Sequence, residues 1–314
     1  MISRRLLRIK VMQTLYAFQI NSGTTLPAQK KNLRTNIKVV HSSFITMIYA
    51  LREIVNYVNI QETIISEKFI KKDSDKVDKS ILDNPLVKHF NSNERLADYF
   101  KKYKPQDVLD QDQVRKLYRE LNEREEYKAY LLNNDKSVED ERKILRVLFK
   151  KVMLKSDTLL SFFEEKFLTW DDDRNTVINM VIATINEFFI HKNMDFDESL
   201  PDVNWADLEQ FSEELFVTTN KKRKELDVEI EPMLENWEIE RVNVVDLILV
   251  RMALAELLYF NHIPVKVTLN EYVEVAKVYS TPKSREFING ILDKLMKKLD
   301  AEKKIQKSGR GLME

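Results

Sequence analysis

The chain has 314 residues, with 51 basic and 51 acidic side chains, no Cys, four Gly and seven Pro. Tight turns rely on Gly and Pro, so their scarcity predicts an almost wholly helical, all-α protein. The absence of Cys excludes thiol nucleophiles, Cys-ligated zinc and disulfides. The one G-x-G lies in the charged C-terminal segment, which excludes a Rossmann fingerprint, a P-loop and a nucleophile elbow.

The zero net charge conceals an uneven distribution. The first 52 residues hold nine Lys or Arg and no acid, and residues 276–314 hold ten Lys or Arg against five acids. The middle of the chain is accordingly acidic. Two basic ends indicate a polyanionic partner, although simple solvation of charged termini is an alternative explanation.

Residues 4–20 repeat apolar side chains at helical spacing and predict an amphipathic first helix that stops at residues 21–23. At about 100° per residue, Arg5, Arg8 and Tyr16 fall in one narrow arc beside the apolar stripe. We therefore expect these three side chains to share a strip that faces solvent. No apolar run is long enough to span a membrane and no signal peptide is recognisable, so a cytoplasmic protein is expected.

Several later helices are predicted from periodicity and capping signals. They cover residues 33–70 (one helix or two), 205 to about 236, 244–260, 268 to about 279, and 282 to about 299. The helix over 244–260 follows the N-cap residue Asn243 and is apolar nearly all round, so it is expected to be central. Thr268 and Glu271 have the spacing of a capping box.

Two further features of the C-terminal part lead to expectations. Gly290 lies inside the last helix, where Gly costs about 1 kcal/mol relative to Ala, so close helix packing is expected there. The segment from Ala301 onward is charged and is expected to fray.

Catalytic and metal-binding groups are not apparent. The four His are far apart, and the run Asp171 to Asp173 precedes an apolar helix, where carboxylates favour the helix N-terminus. Arg251 and Glu256, the conspicuous charges of the central helix, indicate a structural charge network more than a catalytic pair. We expect no metal, no cofactor and no enzymatic activity.

Phosphate recognition is the chemistry that the residues favour. Cations gather at the start of the first and last helices, where free backbone N–H groups also attract anions, and two aromatic rings accompany them. Splayed bases that stack on rings favour single-stranded RNA over duplex DNA, although ordinary packing is the alternative for each ring. The candidate RNA-binding residues are Arg4, Arg5, Arg8, Tyr16, Lys283, Arg285 and Phe287.

The same regions resemble a known family. Residues 3–16 (SRRLLRIKVMQTLY) are similar to the basic opening helix of the bacterial NusB transcription antitermination family. The stronger similarity lies at 245–259 (VDLILVRMALAELLY), at 263–277 (IPVKV through NE to VEVAK) and at 287–294 (FINGILDK). From Arg241 to Lys298 these motifs have the same order and spacing as in the family.

The resemblance implies a NusB-like, all-α fold of two packed helical subdomains. Residues 1–20 and 203–300 would form the RNA-binding core, residues 21–202 an inserted helical region and residues 301–314 a charged tail. An insertion of this length resembles the long form of the Bacteroidetes lineage. Because it carries most of the acidic residues, we expect it to dock protein or to buttress the core, and not to extend the RNA groove.

The resemblance also implies a function without catalysis. It implies binding of boxA-type single-stranded RNA from ribosomal operons together with NusE, a small-subunit ribosomal protein, on the elongating RNA polymerase. This activity suppresses termination and assists rRNA maturation. NusE is expected around residues 254–280, and some relatives form a homodimer through their partner surface. The RNA contacts of the family fall on the candidate residues except Arg285, which charge and location add.

Two other functions were considered, of which only the first remains open. A helical protein-interaction scaffold could keep the fold without RNA binding. An RNA methyltransferase is suggested by NusB-like domains fused to such enzymes, but this chain lacks the Cys nucleophile and the Gly-rich cofactor loop.

Overall fold

The computed structural model describes residues 2–21, 23–67, 77–107, 109–190, 205–234 and 239–307. These residues contain α-helices and short 3-10 or π turns but no strand, which confirms the predicted all-α class. The helices are α1 (Arg4–Ile20), α2 (Leu26–Ser66), α3 (Pro85–Ser92), α4 (Glu94–Tyr103), α5 (Gln111–Glu123), α6 (Glu125–Leu132), α7 (Val138–Val147), α8 (Asp157–Lys166), α9 (Trp170–Ile190), α10 (Trp205–Lys221), α11 (Arg223–Ile230), α12 (Val244–Tyr259), α13 (Val265–Tyr279) and α14 (Pro282–Ala301). None of these helices is long and apolar enough to cross a bilayer.

The chain divides into two compact units. The inserted unit comprises residues 38–202, and the two-segment unit comprises residues 2–37 and 203–314. The division falls within α2. Residues 21–37, which the sequence analysis assigned to the inserted region, therefore group with the two-segment unit.

Helix α12 is the centre of the two-segment unit, as predicted. Asn243 accepts a hydrogen bond from the Val245 backbone N–H at 2.8 Å and caps the helix. Helices α1, α10, α11, α13 and α14 all pack against α12. Its residues from Ile248 to Leu257 are buried without interruption, because each face of the helix meets a neighbour.

Two predicted helix boundaries are wrong. The single helix expected from Trp205 onward is interrupted at Lys222, where the backbone has φ −91° and ψ 8°. Four consecutive cations lie at residues 221–224, and like charges on one helical turn oppose its continuation. Helix α13 begins at Val265, with Pro264 as N-cap, and not at Thr268. The side chain of Thr268 points inward and takes part in a buried network described below.

Gly290 does not mark a close helix contact. It lies on the exposed side of α14, and an added Cβ would meet no heavy atom within 4 Å apart from its chain neighbours and the α14 backbone. The expected close packing is therefore wrong at this position. The cost of a helical glycine is left without local compensation.

Part of the tail is held against the two-segment unit. Lys307 Nζ donates to the carbonyl oxygens of Glu256 and Phe260 at 2.9 and 3.0 Å, and Lys304 pairs with Glu229 at 2.7 Å. Both carbonyl groups also accept a backbone N–H, from Phe260 and Ile263, so Lys307 adds a second hydrogen bond to each at the end of α12. Fraying from Ala301 is wrong for residues 302–307, and residues 308–314 lie outside the described part of the chain.

The inserted unit has its own apolar core. Residues 38–58 of α2 supply one side of it, and Phe90, Phe149, Phe163 and Trp170 are among its largest buried side chains. Asp171 to Asp173 lie in the first turn of α9, as predicted for residues that favour a helix N-terminus.

Candidate nucleic-acid interface

The basic residues of α1 lie in its first two turns. Ser3 caps the helix by accepting a hydrogen bond from the Leu6 backbone N–H at 3.2 Å, and no acid occupies the first turn. Backbone N–H groups and side-chain cations therefore meet at one end of the helix. An anion is favoured there by both.

Arg8 departs from the expected solvent-facing strip. Its side chain is 2 % exposed, and its Nε and Nη2 atoms donate to the two carboxylate oxygens of Glu256 at 2.8 and 2.7 Å. Burial alone lowers the pKa of Arg8, but the hydrogen bonds that Arg8 donates to Glu256 and the negative charges nearby raise the pKa above its ordinary value. Arg8 is therefore a charged residue of the interior, and the expected exposure is wrong for it.

Glu256 is the centre of this buried network. Thr268 Oγ1 and the Tyr272 hydroxyl donate to its oxygens at 2.7 and 3.1 Å. Burial, together with the charge of Glu256, raises the pKa of Tyr272 well above its ordinary value, so the hydroxyl stays protonated and can donate. Because every donor comes from a different helix than α12, the network ties α1 and α13 to the central helix.

Arg5 remains at the surface in a second bidentate pair. Its side chain is 48 % exposed, and its Nε and Nη2 atoms donate to Glu271 at 2.9 and 2.8 Å. The hydrogen bonds that Arg5 donates to Glu271 raise the pKa of Arg5. An incoming anion must therefore share Arg5 with Glu271.

Arg4 occupies the other side of the helix end. Its Nη1 atom lies 3.1 Å from His262 Nε2, and its Nη2 atom lies 3.6 Å from Asp207 Oδ1. The guanidinium lies 4.8 Å from the centre of the Phe211 ring, which fits a cation–π contact. The side chain is 40 % exposed, so its outer face stays open to solvent.

These arginines line one cavity of about 500 Å³. Its walls come from the start of α1, from the turn before α13 and from the first turns of α13. The lining residues are Ser3, Arg4, Arg5, Arg8, His262, Ile263, Pro264, Val267 and Glu271. Three of the seven candidate residues are thus brought together.

Lys283 and Phe287 line a second cavity of about 300 Å³ at the start of α14. Thr281 is the N-cap and Pro282 the first helical residue, as predicted. Arg241 and Asp246 contribute further polar walls, while the Phe287 ring gives the cavity an apolar side. A cation and a ring beside a helix N-terminus fit a phosphate and its base.

Arg285 lines neither cavity, and its charge acts on Glu274 of α13. The hydrogen bond from Lys277 lowers the pKa of Glu274, and the charges of Arg5 and Arg285 lower it further. Glu274 therefore feels cations from both the first and the last helix. The two basic ends of the chain approach the same stretch of α13.

Tyr16 stands apart from both cavities. It is 41 % exposed, as predicted for a ring that faces solvent. Eleven residues separate it from Arg5, which is about 16 Å along a helix. The structure therefore does not bring Tyr16 together with the arginines.

Sequence reasoning missed His262 and Glu271 as parts of the site. Glu271 was recognised only through its capping-box spacing, and His262 only as one of four His that are too far apart to suggest a metal site. Arg251 and Glu256, expected in one network, have different partners, because Arg251 pairs with Asp227 at 2.6 and 3.0 Å. Both residues are structural, as predicted.

Comparison with known proteins bears on the C-terminal part of the chain, and the family match does not include α1. The model of the NusB family matches residues 195–297. The transcription antitermination protein NusB of Salinibacter ruber is 45 % identical over 103 residues, which are 33 % of this chain and 64 % of that protein. The NusB protein of Listeria innocua is 39 % identical over 99 residues, which are 32 % of this chain and 77 % of that protein.

Two further matches vary in how much of the relative they cover. With the NusB protein of Chloroherpeton thalassium the identity is 43 %, and the chain spans 43 % of that protein. A solved structure of T. maritima NusB has 28 % identity, covers 38 % of this chain and 89 % of that chain, and has a TM-score of 0.29.

The fold and the site define an all-helical protein with a cationic surface at two helix N-termini. With 39 % identity across more than two thirds of the Listeria innocua protein, the chain belongs to the NusB family. It is longer than the family domain that it contains, because the match covers only residues 195–297.

Proposed function

We propose that this protein is an RNA-binding transcription antitermination factor with no enzymatic activity. It binds boxA-type single-stranded RNA together with NusE on the RNA polymerase elongation complex, in the cytoplasm, and supports transcription of rRNA operons and rRNA maturation. The names of its relatives support antitermination. The observation that carries the RNA-binding part is the exposed pair Arg4 and Arg5 at the N-terminus of α1.

The proposed contacts divide by chemistry. Arg4 and Arg5 bind phosphates at the first cavity, while Lys283 and Arg285 bind phosphates at the start of α14. Phe287 stacks on an unpaired base, and Tyr16 stacks on a base farther along the strand. Arg8 is a positioning residue: its pair with Glu256 fixes the α1 end that carries Arg4 and Arg5.

The proposed protein partner meets α12 and α13. Tyr259, Val267 and Val278 are exposed apolar side chains within the expected region 254–280. Apolar groups at a surface favour contact with protein. We propose that NusE binds here, and that a homodimer formed through the same surface competes with NusE.

We propose a separate role for each part of the chain. Residues 1–20 and 203–300 form the RNA-binding core, residues 21–202 form the inserted helical region, and residues 301–314 form a charged tail. Within the inserted region, residues 21–37 group with the two-segment unit. The cavities lined by Arg5 and Phe287 both belong to the two-segment unit, which supports this assignment.

Fluorescence anisotropy with a labelled boxA-type RNA and a scrambled RNA of equal composition tests the proposal. We expect the full chain to bind boxA more tightly than the scrambled RNA, to bind more tightly still with NusE present, and to lose affinity as salt rises. Equal, weak binding of both RNAs with and without NusE would contradict it. That result would favour a scaffold in which Glu271 and Glu256 permanently occupy the arginines.

A further inference from the structure

The inserted unit carries a pair of tyrosines on one face of α4. The rings of Tyr99 and Tyr103 are nearly parallel, with centres 6.1 Å apart and planes 18° apart. Both side chains are half-buried, so part of each ring remains exposed. Residues four apart on a helix lie one above the other, which explains the pairing.

His41 of α2 contacts both rings. Its ring meets the Tyr99 ring edge-on at 4.8 Å and the Tyr103 ring at 5.5 Å, and its Nδ1 atom lies 3.0 Å from the Tyr103 hydroxyl. Burial, reinforced by Lys102 and Arg95, lowers the pKa of His41 to about 4, while burial raises the pKa of Tyr103 to about 12. Near neutral pH the rings therefore form a fixed, uncharged platform.

Cations surround the platform. Arg95 lies 5.9 Å from the centre of the Tyr99 ring, and Lys102 Nζ lies 5.2 Å from the centre of the Tyr103 ring. Lys101 and Lys104 are exposed beside them. Asp98 pairs with Lys101 at 3.1 Å, so one of these charges is partly neutralised.

The end of a helix accounts for only part of this arrangement. Lysines in a last turn complement the helix dipole. Lys104, however, is the C-cap residue with φ 48°, a left-handed conformation that is normally taken by Gly or Asn. A long cation here costs backbone energy that a glycine avoids. The dipole also does not require two stacked rings.

We propose that this α4 patch, defined as Arg95, Tyr99, Lys102, Tyr103 and Lys104, binds single-stranded RNA. Unpaired bases stack on the tyrosines, and the phosphates pair with the cations. An acidic peptide would use only the cations of the patch. The ring pair therefore favours RNA, because its bases can also stack on the tyrosines. The inserted unit is close to charge balance, with 27 basic and 31 acidic residues, so it does not repel RNA as a whole. This site shares no residue with the α1 and α14 cavities.

Binding of a labelled twelve-residue oligouridylate tests this proposal on the full chain. The variant Arg4→Ala/Arg5→Ala/Lys283→Ala serves as background, so that binding at the α1 and α14 cavities is weakened. We expect Lys102→Glu/Lys104→Glu in that background to lower affinity at least tenfold. The control Lys150→Glu/Lys155→Glu changes the same charge at exposed residues outside the patch and should leave affinity within twofold.

The ring contribution is tested separately, because charge alone attracts any polyanion. Tyr99→Leu keeps an apolar side chain and breaks no described hydrogen bond, and we expect it to lower oligouridylate affinity about fivefold or more. Polyglutamate of matched charge should bind weakly and be indifferent to Tyr99→Leu. The proposal is overturned if Lys102→Glu/Lys104→Glu behaves like the control. It is equally overturned if polyglutamate binds as well as RNA and Tyr99→Leu changes neither, which would assign the patch to an acidic protein.

Discussion

The guanidinium of Arg8 and the carboxylate of Glu256 form a bidentate pair in the interior, joined by bonds of 2.8 and 2.7 Å across 248 residues of sequence. Arg5, one helical turn earlier, makes the same kind of pair with Glu271 at the surface. Helix α1 therefore carries one arginine that stabilises the interior and one that is accessible to a ligand. The two arginines should respond differently to substitution.

Arg8→Ala should destabilise the protein far more than Arg5→Ala. Removing one partner of a buried ion pair leaves an uncompensated charge and costs about 3–5 kcal/mol, whereas an exposed pair contributes about 1 kcal/mol or less. Urea unfolding followed by circular dichroism measures both variants. The double variant Arg8→Met/Glu256→Gln removes both charges and keeps an oxygen that accepts from Thr268 or Tyr272, so it should recover much of the loss. Equal, small losses for Arg8→Ala and Arg5→Ala would show that the pair is not structural.

Glu271→Gln should raise the affinity for RNA several-fold. The carboxylate occupies two donors of Arg5, and a phosphate must displace or share them. Anisotropy titration with boxA-type RNA measures the change, and Glu231→Gln removes an equal charge from an exposed position outside the site. If Glu271→Gln instead lowers affinity, Glu271 orients Arg5 for the RNA and does not compete with it.

Gly290→Ala should stabilise the protein by about 1 kcal/mol, because alanine has the higher helix propensity. The space around the added methyl group is open, with no heavy atom within 4 Å. The shift in the urea midpoint measures this gain. A destabilised variant would indicate a close neighbour at Gly290 and would support the close helix packing that the sequence predicted.

Stability should fall as pH drops from about 6.5 to about 4 in a manner that depends on His41. Burial, with Lys102 and Arg95 nearby, holds the folded pKa at about 4, whereas the unfolded value is about 6.5. The unfolded chain therefore binds the proton first, and up to about 3 kcal/mol of stability is lost across this window. Urea midpoints between pH 4.5 and 7 should vary less in His41→Phe than in the wild type. Identical pH dependence would contradict the buried, neutral histidine.

Local signals in the sequence predicted the local structure well. Helix α1 begins and ends where apolar spacing and Asn21 indicate, and α12 begins after its Asn243 cap. Tertiary partners were not predictable in the same way. Arg8 lies beside the apolar stripe of α1, and only the carboxylate of Glu256 decides that it points inward. Thr268 likewise has a capping spacing, but its hydroxyl donates to Glu256 and α13 begins earlier.

The candidate site was predicted as a set of cations and rings, and its geometry came only with the fold. Arg4 and Arg5 share a cavity, and Lys283 and Phe287 share another. His262 and Glu271 line the first cavity from the turn before α13 and from α13 itself. The spacing of residues within α1 therefore could not predict them. That these residues contact RNA stays a prediction.

The salt dependence of boxA RNA binding tests the central claim most directly. The variants to compare are Arg4→Ala/Arg5→Ala and the control Lys221→Ala/Lys224→Ala, which removes two exposed cations from α10 and α11 of the same unit. We predict that the site variant binds at least tenfold more weakly and that its slope of log affinity against log salt is shallower by about 1.4, the value for two lost phosphate contacts. The control should keep the wild-type affinity and slope. Equal slopes for both variants would contradict the assignment of RNA phosphates to Arg4 and Arg5.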